Sequence, residues 1–325
     1  MAERSEISLD VSRVVKAPAQ LSARVVAPDD VGARPAVVVC YSGGSFTKDF
    51  WDVPEDRLPG YSFASYAASR GVVTVVVDHI GMGKSTRPED GDRLTAAFVA
   101  ECHATGVLEL RARLEAGSLA PTLPGLRDYV LAGFGHSNGG CVLVNQQGNH
   151  SSFDAVGVFG FSNQYLDVPY SYDLEDEEAL TPEEVPRRKA EAMLQTIIRG
   201  EWGSYLDLDR EILRGLFHAD DVPEEVVAVA DTMKTLTPRG SSVDASIPAS
   251  AAPAAARITV PVLLVYGEHD VCPDTHAEPA TYPQSNDVSL VVTPKAAHQF
   301  NFSSHREELW SRCVSWLQGL TAMER

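Results

Sequence analysis

Apolar residues fall along this chain in short unbroken runs separated by polar breaks rich in glycine and proline, and runs of that length read as buried strands. Val37–Tyr41, Val72–Asp78, Tyr129–Phe134, Ala155–Phe161, Val262–Tyr266 and Val288–Val292 are the clearest, dense in Val and Leu with little polar alternation, as strands covered on both faces are. Helical patterns lie between them, near Ser62–Ser69, across Leu94–Ala116 and from Asn138 onward. This alternation predicts βαβ units and an α/β fold with a mainly parallel central sheet flanked by helices. Ahead of it, Ile7–Val15 and Leu21–Val26 read as two strands forming an antiparallel edge.

Between about Gln164 and Arg257 the strand-like pattern stops, which predicts a helical insertion between two sheet strands. Thr181-Pro182-Glu183-Glu184 reads as a helix start, with threonine as the cap and proline at the first helical position, and that helix is expected to reach Ile198. Asp207–Phe217 and Pro223–Leu236 predict two more helices, and the Ala/Pro stretch Pro248–Ala256 a linker back to the core. The expected organisation is residues 1–163 as the first part of the core, 164–256 as a helical cap and 257–325 as the second part of the core. Asp173, Glu175, Asp176, Glu177 and Glu178 read as a solvated acidic face rather than a metal site.

The chemistry centres on Gly135-His136-Ser137-Asn138-Gly139, where a strand-like run ends in a serine with glycine two residues to either side. This G-x-S-x-G pattern marks a sharp strand-to-helix turn that presents the serine Oγ, and a Cβ at either glycine would meet the returning backbone or the packed strand. Downstream, Gly267-Glu268-His269-Asp270 follows one strand-like run and Pro294-Lys295-Ala296-Ala297-His298 follows the next. Serine is a weak nucleophile without a base in reach and a third group to orient that base. The order Ser137, Asp270, His298 supplies nucleophile, orienting carboxylate and base, with Asp274 and more remotely Glu268 as other candidates for the acid.

On these residues the chain resembles the α/β-hydrolase superfamily, in which Ser, Asp and His occur in this order. The resemblance extends to Val37–Tyr41 leading into the loop Ser42-Gly43-Gly44-Ser45-Phe46, and to Asp78-His79-Ile80-Gly81-Met82-Gly83-Lys84-Ser85, which matches the D-x-x-G-x-G-x-S turn common there. It implies an oxyanion hole made by the backbone N–H of Asn138 and a second N–H from the glycine loop, Gly44 first and Ser45 second. The chain departs from the commoner His-Gly start of that loop at Ser42, which leaves the second donor open. His136, beside the nucleophile, and His79, at a strand end on the same rim, are candidate substrate contacts.

Composition narrows the partners. A net charge of -18 argues against nucleic acid or an anionic membrane surface, both of which need a positive face. No secretory signal opens the chain, no run is long enough to span a membrane, and the 5 cysteines lack a C-x-x-C pair, so a cytoplasmic protein with reduced cysteines is expected. Cys141 reads as a core residue. Gly83-Lys84-Ser85-Thr86 does not make a phosphate loop, because Asp78 falls where that motif needs its first glycine. His269, Cys272 and His276 lack a matching second pair of metal ligands and read as structural.

The resulting expectation is a serine hydrolase without cofactor or metal, cleaving a small-molecule carboxylic ester, lactone or thioester through an acyl-enzyme. The same triad also serves acyl transfer and C–C or amide hydrolysis, and a non-hydrolytic ligand-binding member is the alternative of another class. Selectivity is expected from the insertion, where Tyr170, Tyr172, Met193, Trp202, Tyr205, Phe217 and Met233 are the residues that could face a pocket.

Overall fold

The computed structural model describes residues 2–169, 174 and 177–322; Tyr170, Tyr172, Asp173, Glu175 and Asp176 lie outside them, as does the side chain of Glu178. The chain enters through β1 (Glu3–Asp10) and β2 (Gln20–Ala27), paired antiparallel. The run from Ile7 does not stay extended to Val15. It breaks at Val11, and Ser12–Val15 forms the single helical turn α1, closed by Lys16 in the left-handed region at φ 63°. Strands β3 (Ala36–Tyr41), β4 (Val73–Val77), β5 (Val130–His136) and β6 (Ala155–Phe159) then alternate with helices α2 (Phe63–Ala68), α3 (Ala96–Ala116) and α4 (Asn138–His150). Local sequence fixes the helix ends: Ser62 and Thr95 each accept a hydrogen bond from the backbone N–H three residues on, and Gly117 closes α3 at φ 66°.

Past β6 the chain leaves the sheet for α5 (Val185–Thr196), β7 (Tyr205–Leu206), α6 (Arg210–Phe217), α7 (Glu224–Asp231), β8 (Thr237–Pro238), α8 (Arg239–Ser246) and α9 (Ala252–Ala255). It returns as β9 (Val262–His269) and β10 (Val288–Ala297) and ends in α10 (Arg306–Ala322). Two expectations are corrected in the excursion, and two features there were not foreseen. Thr181 does not cap α5 directly: its N–H and Oγ1 both donate to Glu184, forming a turn, and the helix begins at Val185 with Pro186 in its first turn. Helix α8 and the two-residue pair β7–β8 carry no periodic signal long enough to read. Pro248–Ala256 is not a free linker, because Ala251, Ala254 and Ala255 are buried and α9 packs on α4.

Among the described residues the sheet has eight strands in the order β1-β2-β4-β3-β5-β6-β9-β10, antiparallel at β1–β2 and β2–β4 and parallel from β4 to β10. Two apolar clusters cover its faces. Val37, Val39 and Tyr41 face one with α3 and α4, while Val38 and Cys40 face the other with α2, α10 and the buried side chains of α5 and α6. Because β3, β4, β5, β6, β9 and β10 run in one direction, the loops leaving β3, β5, β9 and β10 gather at one rim, where open α/β sheets place their ligands. The turn after β4 stiffens that rim. Asp78 accepts from Lys48 N at 2.7 Å and Lys84 N at 3.0 Å, and its carboxylate also pairs with the buried Lys48 ammonium at 3.1 Å. Among the described residues no helix is long and apolar enough to cross a membrane.

Candidate active site

Strand β5 turns into α4 at Ser137, which stands at φ 54°, ψ -121°, a conformation disfavoured for any residue with a Cβ. The neighbouring glycines make the turn possible. A Cβ on Gly135 would lie 2.3 Å from the carbonyl oxygen of Gly139, and one on Gly139 would lie 2.5 Å from that of Ser42. The turn leaves the Ser137 side chain at the rim with the start of α4 beside it. The N–H of Asn138, in the first turn, has no intrahelical acceptor, and the helix dipole adds partial positive charge there.

His298 and Asp270 arrive from the ends of β10 and β9. His298 Nε2 is 2.9 Å from Ser137 Oγ, and His298 Nδ1 is 2.6 Å from Asp270 Oδ1. Asp270 accepts two further bonds, from Gly267 N at 3.0 Å and Val271 N at 2.8 Å. Burial alone would raise its carboxyl, but the facing His298 and these donors hold it below the ordinary aspartate value. An ionised carboxylate at Nδ1 requires the proton on that nitrogen, which leaves Nε2 as the acceptor facing Ser137 Oγ. Asp274 is exposed and caps the N–H groups of His276 and Ala277, and Glu268 accepts from Lys295 N, so neither reaches His298.

The remaining sequence candidates separate. Gly44 and Asn138 line the same cavity as Ser137, and no acceptor for either N–H is found among the described residues. Ser45 is corrected: its N–H donates to Thr237 Oγ1 at 2.6 Å and is not free for a ligand. His136 and His79 are corrected as substrate contacts, since neither lines the cavity. His136 stacks on Phe50 at 4.8 Å and donates from Nε2 to the carbonyl of His298 at 2.9 Å. Burial and the neighbouring His298 push its pKa down to about 3, so it is neutral. His79 donates from Nε2 to Ser42 O at 2.9 Å, which makes its Nδ1 the acceptor for His103 Nε2 at 2.8 Å. His103, unremarkable in sequence, thus belongs to a buried pair that holds the loop after β3.

The cavity has a volume of about 730 Å³ including its mouth. Its wall comes mostly from the excursion between β6 and β9, with Met193, Leu194 and Ile197 from α5 and its end, Leu213, Leu216 and Phe217 from α6, and Ala245 from α8. No Asp, Glu, Lys or Arg lines it among the described residues. Ser242 and Ser246 satisfy their hydroxyls on backbone carbonyls, whereas buried Gln299, beside His298, leaves Oε1 without a partner among the described residues. Of the aromatic and Met candidates, Met193 and Phe217 line the cavity, while Trp202 lies under Arg239, Tyr205 donates to Pro88 O and Met233 is buried elsewhere. No signal in the sequence distinguished these, because each is an apolar residue in a region of short helices. The cysteines are free, and Cys141 is buried with its thiol pushed up to about 12.

The family model of the Alpha/beta hydrolase family matches residues 36–312. The chain belongs to that family. Among solved structures it is similar to an esterase from Exiguobacterium antarcticum, at TM-score 0.64 and 17% identity with 97% of this chain and 100% of that one covered. It is likewise similar to a bromoperoxidase from Bacillus anthracis, at 0.63 and 16% over 97% and 100%, and to the epoxide hydrolase CorEH, at 0.58 and 13% over 98% and 100%. At these identities the likeness shows the α/β-hydrolase fold alone. No curated protein matches the chain by sequence.

Proposed function

We propose that this family member is a serine hydrolase that cleaves an uncharged, apolar carboxylic ester or thioester through an acyl-enzyme. The observation that carries the reading is the continuous hydrogen-bonded chain from Asp270 through His298 to Ser137 at the base of an apolar cavity. Ser137 Oγ attacks the carbonyl carbon as His298 Nε2 takes its proton, and Asp270 stabilises the imidazolium that forms. The oxyanion receives the N–H groups of Asn138 and Gly44, and the protonated His298 then gives its proton to the departing alcohol or thiol. Water, deprotonated by His298, releases the acid in the same way. Residues 164–256 act as a cap whose apolar wall selects the acyl or alcohol portion and keeps water from it.

The test is intact-protein mass after treatment with an alkyl fluorophosphonate, on wild type and Ser137→Ala, followed by a panel of p-nitrophenyl esters of increasing acyl length. The expected result is a single adduct on wild type only, with neutral acyl chains turned over faster than carboxylate-bearing ones. Folded wild type that takes no adduct and turns over no ester in the panel defeats the reading.

A further inference from the structure

The loop after β3 is held by residues far along the chain. Ser45 is fully buried and stands at φ 64°, in the left-handed region that a residue with a Cβ seldom occupies. Its own side chain does not keep it there, because Ser45 Oγ has no hydrogen-bond partner among the described residues. Its backbone does. Ser45 N donates to Thr237 Oγ1 at 2.6 Å, and Ser45 O accepts from Arg210 Nη2 at 2.8 Å and from Thr235 N at 3.0 Å. One residue on, Phe46 bridges antiparallel to Lys234, and Thr47 N donates to Met233 O at 3.0 Å.

Arg210 is unusual in this arrangement. Its guanidinium lies 3.9 Å from the centre of the Phe46 ring, Nε and Nη1 have no hydrogen-bond partner among the described residues, and Asp231 is 4.0 Å away. Burial depresses its pKa to about 10. A largely buried cation whose one described hydrogen bond goes to Ser45 O is an expensive way to hold a loop unless the loop's conformation matters in detail. Every one of these partners lies between β6 and β9, and the residue they hold is the immediate neighbour of Gly44.

We propose that Thr237 and Arg210 are positioning residues for the oxyanion hole, fixing Ser45 so that the Gly44 N–H points at the space beside Ser137 Oγ. The inserted region then completes the catalytic site as well as walling the cavity, and the hole is formed only while that region sits on the core. A loop released from Thr237 can rotate Ser45 into the ordinary β or αR region, which turns the Gly44 peptide away from the reacting carbonyl. This inference rests on the serine-hydrolase reading above.

The experiment compares wild type with Thr237→Val, Thr237→Ser and Arg210→Met in the full chain. It reads kcat and KM on the best p-nitrophenyl ester, the inhibition constant of a trifluoromethyl ketone carrying the same acyl chain, and that of the matching secondary alcohol. The ketone forms a tetrahedral adduct with an oxyanion and the alcohol does not, so their difference reports the hole. Thr237→Val is expected to lower kcat about 10- to 100-fold, approaching the loss of one oxyanion donor, with KM within about twofold. Ketone binding should weaken by the same factor and alcohol binding should not. Thr237→Ser, which keeps the acceptor, should recover to within about threefold of wild type, and Arg210→Met should repeat the Val pattern at about 3- to 10-fold.

Unchanged kcat and ketone affinity in folded Thr237→Val overturns the proposal, as does a parallel loss of ketone and alcohol binding, which marks a structural role only. If Thr237→Val does not fold, Arg210→Met decides by the same criterion. Wild type that shows neither turnover nor fluorophosphonate labelling removes the hydrolase reading and this assignment with it, whereas an active wild type with indifferent variants removes the assignment alone.

Discussion

In the sheet, each member of the Ser137–His298–Asp270 chain sits within a residue of a strand end: Ser137 after β5, Asp270 after β9 and His298 after β10. In the excursion between β6 and β9, the cavity wall comes instead from α5, α6 and α8, and its anchors on the core, Thr237 and Arg210, sit in a two-residue strand and at the start of a short helix. A strand end is fixed in three dimensions by its ladder partners, so geometry to a few tenths of an ångström follows from the sheet itself. A region of short helices takes its geometry from whatever it packs against. The first arrangement suits the bond-making role we propose for these three residues, which tolerates no drift, and the second suits a wall that can differ in shape without disturbing them. The loop at Ser45 is where the two meet.

Substitution of Asp270 by Asn tests the sheet side most sharply. It removes the charge that holds His298 Nδ1 as donor, and kcat is expected to fall about 10³-fold or more with KM changing little, measured by steady-state kinetics on the ester selected above. A small effect would place the essential acid elsewhere. Gly135→Ala attacks the scaffold rather than the chemistry: with 2.3 Å to the Gly139 oxygen, the turn must open. Stability is expected to drop by about 2–3 kcal/mol in urea denaturation. An alanine variant of wild-type stability would mean that the β5–α4 turn is more pliant than the strands that frame it.

On the other side of the comparison, Met193→Ala shortens a wall residue of α5. Loss of its buried methylenes should raise KM about tenfold for acyl chains long enough to reach it, with kcat within about threefold, since both ground and transition states lose the same contact. A fall in kcat with unchanged KM would show that the wall reaches into the chemistry.

The smallest effect is expected from pH. His136 in the core and His218 in the excursion are kept neutral by burial, with pKa values pushed down to about 3 and about 4 from an ordinary 6.5. In the unfolded chain both take protons as pH falls below about 6.5, while the folded protein does not until much lower. Stability should therefore decline from about pH 6.5 toward pH 4. Urea midpoints at pH 7.5, 6 and 5 would measure it, and His136→Phe, which keeps the stacking on Phe50, and His218→Phe should each flatten the decline. Equal slopes in all three proteins would assign the acid loss to other groups.

Much of the site is legible in the amino-acid order itself. Ser137, Asp270 and His298 carry a local signature: a glycine-framed serine, an acid after one apolar run and a histidine after the next. Gly44 and Asn138 follow from the resemblance, and both border the same cavity as Ser137. The histidines are less legible. His79 and His136 stand near the site in sequence, yet their rings turn to Ser42 O, His103 and His298 O, because side chains of adjacent residues at a tight turn diverge and a buried imidazole must find acceptors within the protein.

The apolar runs that become the sheet and the three residues at their ends can be read from the amino-acid order, because these depend on local periodicity and turn chemistry that each short segment carries alone. Packing sets the rest: which of Gly44 and Ser45 has an N–H with no acceptor among the described residues, which apolar residues of the insertion face the cavity, and that Thr237 and Arg210 grip a loop some 165 to 192 positions earlier in the chain. Those outcomes are contacts between distant segments. A threonine and an arginine carry no local mark of the backbone group they will meet, and the meeting is fixed only when the two regions pack.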